Sequence, residues 1–201
     1  LPNLGSVRLR LTGVGENEDE LQKEVLSYSQ EIEELLGDLV FGYGKDTLSS
    51  VIGKIALEKG LTIGTAESCT GGMVSSKIVK TSGSSAYFQG SVTTYSNELK
   101  NRLLGVQLHT LNTHGAVSEE TVKEMVIGAN AHLGVDVSVA ISGIAGPTGG
   151  SEEKPVGTIW IACGNESKMD TLKISAGKNR EKNIEYASNY ALNVLRKFLK
   201  A

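Results

Sequence analysis

Apolar positions along the chain fall into three spacings, and each predicts a different element. From Asp46 to Gly60, Leu48, Val51, Ile52 and Ile55 recur every three or four residues, the period of one helix face, and Gly60 stands where a left-handed C-cap belongs. The same period predicts a helix carrying Leu21, Val25, Tyr28, Ile32 and Leu35, and another opened by Ser118 with Glu119 and Glu120 in its first turn. It also predicts a last helix over 179–200 with Ile184, Ala187, Ala191, Val194, Leu195 and Phe198 on one stripe. Near-continuous aliphatic runs, VDVSVAISGI over 135–144 and TIWIAC over 158–163, have the makeup of strands covered on both faces. A strand over 168–175 follows the second run closely enough to form a hairpin around Gly164-Asn165. Strict alternation marks Val7, Leu9 and Leu11, a predicted half-buried strand, and 38–42 is predicted to be a shorter one. Residues 107–117 have no period and are predicted to be loop.

Helices interleaved with buried strands predict an α/β fold, a three-layer α/β/α sandwich with a mixed sheet, whose ligand loops lie at the carboxyl ends of strands. Strand, helix and strand within 1–42 cannot bury enough apolar surface alone. That segment is read as the C-terminal part of a preceding small α+β domain with its linker, and 43–201 as the main domain. The chain opens on Leu1 instead of a methionine, which fits a piece of a longer protein.

Composition narrows the function classes. The 24 glycines are well above the ordinary share and cluster in loops after apolar runs, which favours ligand sites built from backbone. A net charge of −3 with no basic run argues against a nucleic-acid partner. No apolar run is long enough to cross a bilayer and no signal peptide is recognisable, so a cytoplasmic location without membrane is expected. Cys69 and Cys163 stand far apart without a CxxC, and His109, His114 and His132 have no ligand spacing, so neither a disulfide nor a metal is supported.

The chemistry concentrates in 62–100. A short β-type run ends in Glu67-Ser68-Cys69-Thr70-Gly71-Gly72, after which Met73, Val74, Ile78 and Val79 take helical spacing. A strand, glycine turn and helix start of this kind leaves backbone N–H groups free for an anion, with Thr70, Gly71 and Gly72 as the contacting residues. Downstream lie Ser84 and Ser85, a β-rich run to Tyr95, a cap at Ser96-Asn97, and Lys100. A second glycine loop, Gly143 to Gly150 with Gly146 inside it, follows the aliphatic run that ends near Ser142. The Gly13-x-Gly15 pair lacks the third glycine of a dinucleotide turn and carries no weight.

AESCTGG at 66–72, GSSAYF at 83–88, TYSNELK at 94–100 and SGIAGPTGG at 142–150, in that order, resemble the C-terminal domain of the competence/damage-inducible protein CinA family, which includes nicotinamide mononucleotide amidohydrolases. The resemblance implies hydrolysis of a nucleotide carboxamide by a Ser/Lys mechanism without cofactor, and a dimer. On this chain it implies Ser85 as nucleophile, Lys100 as base, Tyr95 and Ser68 as supporting groups, and Ser142 and Arg180 as substrate contacts. The chemistry is coherent, since a serine needs a base beside it and a lysine serves only when its surroundings keep it neutral. Amides near Ser84 or at Gly71-Gly72 would hold the oxyanion. Two alternatives stay open: Cys69 as nucleophile, and a nucleotide- or partner-binding module without turnover.

Overall fold

The structure is a computed structural model that describes residues 2–3 and 5–201. Its sheet is built from β3 (Ile63–Glu67), β4 (Phe88–Thr93), β5 (Val137–Gly143), β6 (Thr158–Gly164) and β7 (Met169–Ser175), in the order β4-β3-β5-β6-β7. A separate pair, β1 (Pro2–Asn3) with β2 (Ser6–Val7), lies apart from it. β3 runs parallel to both β4 and β5, whereas β6 and β7 are antiparallel, so the sheet is mixed as predicted.

The central strands are apolar on both sides because both sides are covered. Val137, Val139 and Ile141 of β5 and Ile159, Ile161 and Cys163 of β6 pack with α2 (Leu48–Lys59), α3 (Met73–Val79) and α7 (Arg180–Lys200). On the other face Ala66, Ala140 and Ala162 stand side by side across β3, β5 and β6 under α6 (Glu119–Leu133). A row of small side chains lets that helix approach closely. Its Val122, Met125, Val126 and Ala129 are all buried without residual exposure.

The predicted helix boundaries follow from their caps. Thr47 and Ser50 form a reciprocal capping box at the start of α2, and Gly60 closes it in the left-handed region. Ser118 caps α6 and Asn179 caps α7. No helix among the described residues is long and apolar enough to cross a membrane.

Three expectations are corrected. Over 7–11 the strand ends at Val7, and Leu9 and Leu11 are exposed, because β1 pairs only with Ser6–Val7 and no strand among the described residues pairs with Leu9 or Leu11. Over 38–42, a 3-10 turn at Gly37–Leu39 replaces the strand, where Nη2 of the buried Arg196 in α7 donates to the Asp38 carbonyl at 2.7 Å. The stretch 107–117 contains α5 (Leu108–Thr113), capped from outside: the Glu124 carboxylate of α6 accepts from Gln107 N–H at 2.7 Å and from Thr110 Oγ1 at 2.6 Å. The expected helix is present as α1 (Glu18–Leu36), capped by Asn17, but none of its residues is buried.

One contact of this frame sets the position of the helix that carries Lys100. Gly128 of α6 faces the end of α4 (Asn97–Leu104), and a Cβ there would sit 1.9 Å from the Leu104 carbonyl oxygen. Gly128→Ala must push α4 away, and we expect it to lower stability by about 2 kcal/mol in urea unfolding, the usual range for overpacking; an unchanged midpoint would mean the two helices are not in contact.

Candidate active site

From β3 the chain passes through α3 to β4 on one side, and from β4 it returns through α4, α5 and α6 across β3 to β5 on the other, so the strand order reverses between β3 and β5. Such a switch point opens a crevice beyond the carboxyl ends of the strands. A pocket of about 220 Å³ lies there, lined by Ser68 and Cys69 after β3, Tyr95 after β4, Ser142, Gly143 and Ala145 at the end of β5, Lys100 of α4, Arg180 of α7, and Ala116 and Val117.

The turn after β3 is organised by a side chain that the sequence reading passed over. Glu67 is fully buried, and one carboxylate oxygen accepts from Thr70 Oγ1 at 2.7 Å and from the Gly72 and Val74 amides at 3.0 Å each. The other accepts from the Ser75 amide at 2.8 Å. Positive φ at Gly71 and Gly72 folds the chain back so that these amides converge. The start of α3, expected to receive a ligand anion through Thr70, Gly71 and Gly72, is therefore already filled by the protein's own carboxylate. An acidic residue just ahead of a glycine turn and helix was the available signal.

Ser68 is pinned from its backbone: its N–H donates to Ile141 O at 3.0 Å, and the Thr94 N–H donates to Glu67 O at 2.8 Å beside it. Its hydroxyl meets Lys100. Ser96 caps α4 by accepting from the Leu99 N–H, which turns Lys100 inward with Leu104 one turn later. The Lys100 side chain is 1 % exposed, its Nζ lies 3.0 Å from Ser68 Oγ and donates to Thr94 O at 2.8 Å, and it makes no ion pair among the described residues. Burial pulls its pKa down to about 8, with the neighbouring Cys69 sulfur acting weakly the other way.

Ser85 is not brought to this amine. It sits exposed on the 3-10 turn Ser84–Ala86 ahead of β4, while Thr94 follows that strand's last residue. Six strand residues at about 3.3 Å each separate the two, roughly 20 Å. Ser84 and Ser85 are turn residues, and the hydroxyl within reach of Lys100 is that of Ser68. Burial drives the Cys69 thiol up to about 12, which disfavours the thiolate that a nucleophilic cysteine needs.

The rim is held by Arg180, whose Nη1 donates to Gly146 O at 2.8 Å and Nη2 to Tyr95 Oη at 3.0 Å. This joins α7, the second glycine loop and the end of β4 across the mouth. Asn183, one turn along α7, donates to Ala145 O at 3.0 Å and Gly177 O at 2.7 Å and fixes the same loop; the sequence reading missed it. Ser142 Oγ donates to Ala116 O at 2.6 Å, closing the back wall. Two cations and no carboxylate line the pocket.

Fold and site together define a three-layer α/β protein with a serine and a buried lysine, without an ion pair among the described residues, at the switch point of a mixed sheet. The family profile of the CinA C-terminal domain matches residues 45–199. The chain is 44% identical over 200 residues to a CinA-like protein of Cytophaga hutchinsonii, covering 100% of this chain and 48% of that protein. It is 40% identical over 195 residues to a CinA-like protein of Kosmotoga olearia, covering 97% and 47%. The competence/damage inducible protein CihA from Agrobacterium tumefaciens has a similar structure, with TM-score 0.74 at 36% identity over 77% of this chain and 94% of that one. The chain belongs to the CinA family, and it spans about half the length of these curated relatives.

The low pKa of Lys100 has a consequence for stability. Between about 8 and the ordinary 10.5 the unfolded chain binds a proton at this amine that the folded chain does not, so folding gains as pH rises through that window. Relative to Lys100→Met, the protein is expected to gain on the order of 3 kcal/mol across that window in pH-resolved unfolding; a constant difference would place the amine at its ordinary pKa.

Proposed function

We propose that the protein is an amidohydrolase that cleaves the carboxamide of nicotinamide mononucleotide, giving nicotinic acid mononucleotide and ammonia, with Ser68 as nucleophile and Lys100 as base. The observation that carries this reading is the 3.0 Å approach of Lys100 Nζ to Ser68 Oγ with no counter-charge on the amine among the described residues. With a pKa near 8 a substantial share of the amine is neutral at physiological pH, as proton abstraction from serine requires.

Neutral Lys100 takes the Ser68 proton as Oγ attacks the carboxamide carbon, and Thr94 O keeps the amine oriented. Collapse of the tetrahedral species breaks the C–N bond, Lys100 returns the proton to the leaving ammonia, and water then hydrolyses the Ser68 ester by the same route. Gly71 N–H is spent on Ser68 O and Gly72 N–H on Glu67, so the Cys69 and Thr70 amides are the donors left in the turn for the oxyanion. A pocket of about 220 Å³ admits the pyridine carboxamide, and the phosphate reaches the rim at Arg180, which has further N–H groups to give. A pyridinium ring beside Lys100 would lower the amine's pKa further.

Ammonia release from nicotinamide mononucleotide tests this. Ser68→Ala and Lys100→Ala are each expected to lose about 10³-fold or more in kcat, and Lys100→Arg as much, since a guanidinium cannot give up its proton. Ser85→Ala should stay within about twofold, as an exposed turn substitution does. The rate should climb through a pKa near that of Lys100. Loss in Ser85→Ala with activity kept in Ser68→Ala would reverse the assignment, and nucleotide binding without ammonia would leave a binding module. Separately, Arg180→Ala is expected to raise KM more than it lowers kcat, reporting a contact made equally in ground and transition states.

A further inference from the structure

The register of the sheet lines up three hydroxyl residues at the strand ends beside Lys100. Glu67 pairs with Thr93 of β4 on one side and with Ile141 of β5 on the other. The ladder continues one step further, with Thr94 N–H donating to Glu67 O at 2.8 Å and Ser68 N–H to Ile141 O at 3.0 Å. Thr94, Ser68 and Ser142 therefore stand in one row across three neighbouring strands, and all three are buried.

Two of these hydroxyls have partners. Ser142 Oγ donates to Ala116 O, and Ser68 Oγ meets Lys100 Nζ. Thr94 Oγ1 has none among the described residues, although Thr94 has no residual exposure. A buried hydroxyl left without a partner costs stability, so an orphan of this kind calls for an explanation. Tyr87 Oη and Asn183 Oδ1 are orphaned in the same way, but neither residue bonds to Ser68 or Lys100.

The explanation follows from the protons on Lys100. The neutral amine has two N–H groups and a lone pair; one N–H goes to Thr94 O at 2.8 Å, and the lone pair receives the Ser68 proton across the 3.0 Å contact. Once that proton has moved, the group is an ammonium with three N–H donors. Thr94 O and Ser68 Oγ accept two of them, and the third has no acceptor among the described residues. Thr94 Oγ1 belongs to the residue whose carbonyl already holds the amine, and its lone pairs are free.

No carboxylate competes for this role. Cys69 after β3, Tyr95 after β4 and Arg180 of α7 line the pocket with Lys100, and Glu67 is committed to Thr70 and the amides of α3. On α4 itself Glu98 pairs with Arg102. On α6, packed against α4, Glu119 is engaged with Lys123 and Thr171, Glu120 lies beside His114, and Glu124 accepts from Gln107 and Thr110.

We propose that Thr94 Oγ1 is a further catalytic group, reached by rotation about χ1 between staggered wells, which accepts the third N–H of Lys100 once the amine has taken the Ser68 proton. The proposal rests on Ser68 and Lys100 acting as nucleophile and base. The hydroxyl is idle in the resting site and used in the charged one, so it favours the state that proton transfer reaches over the state before it.

Titration of the Lys100 amine tests this without substrate, followed by the ¹³Cε resonance in the whole chain. Thr94→Val keeps the volume and Thr94→Ala opens it, and both are expected to move the midpoint down by about one pH unit, as for a lost hydrogen bond to a charged group. Thr94→Ser should leave the midpoint in place. The unfolding midpoint of Thr94→Val should not fall, because its hydroxyl has no partner to lose. In ammonia release the Val and Ala variants should lose about tenfold in kcat with KM held, and the rising limb of the pH profile should move to lower pH. A Lys100 midpoint unmoved in both variants, or moved in Thr94→Val alone as added apolar surface would do, overturns the proposal. So does a Thr94→Ser variant that behaves like Thr94→Val. Absence of ammonia from the wild type would sink the amidase reading, while the titration would still decide whether Thr94 holds the ammonium.

Discussion

The buried carboxylate of Glu67 fixes the geometry on which the site depends, although Glu67 is not among the residues lining the pocket. Three amides and a hydroxyl converge on its two oxygens at 3.0 Å or less, which ties the end of β3 to the first turn of α3. Charged hydrogen bonds of this kind are among the stronger ones in a protein, and here they lie out of water. With the neighbouring strands holding the backbone at Glu67 and Ser68, the serine hydroxyl has little freedom left. The same bonds consume the helix terminus, so an incoming anion has to find its donors elsewhere in the pocket.

Lys100 is the opposite case. A cation taken out of water is normally matched by a carboxylate, and this one has a carbonyl and a hydroxyl instead. The arrangement costs stability at neutral pH and lowers the energy needed to lose a proton, which is the trade expected of a functional group more than of a structural one. Arg196 is a useful contrast on the same protein. It is also buried, but it spends its donors on the Asp38 carbonyl and Asn193 Oδ1 and serves to hold the 37–39 turn to α7.

The pocket is assembled from strand ends and the loops that follow them, with Arg180 and Asn183 of α7 bracing the second glycine loop from outside.

Much of this was written in local pattern. Helix period and caps located α2, α6 and α7, unbroken aliphatic runs marked β5 and β6 as strands covered twice, and the glycine turns fell at strand ends, so the α/β class and the general place of the site could be read from residue order. The motifs likewise pointed to the family and to Lys100, Tyr95, Ser142 and Arg180. What residue order could not supply was distance. Ser85 lies fifteen positions before Lys100 and Ser68 thirty-two, yet the intervening strand carries Ser85 roughly 20 Å away, while the parallel pairing of β3 with β4 sets Ser68 beside the amine. In the same way α5 owes its cap to a carboxylate on α6, and the carboxylate that fills the start of α3 looked from the sequence like the edge of an empty anion site. Each of these was settled by which backbones lie side by side, a property of the folded sheet that no spacing along the chain encodes.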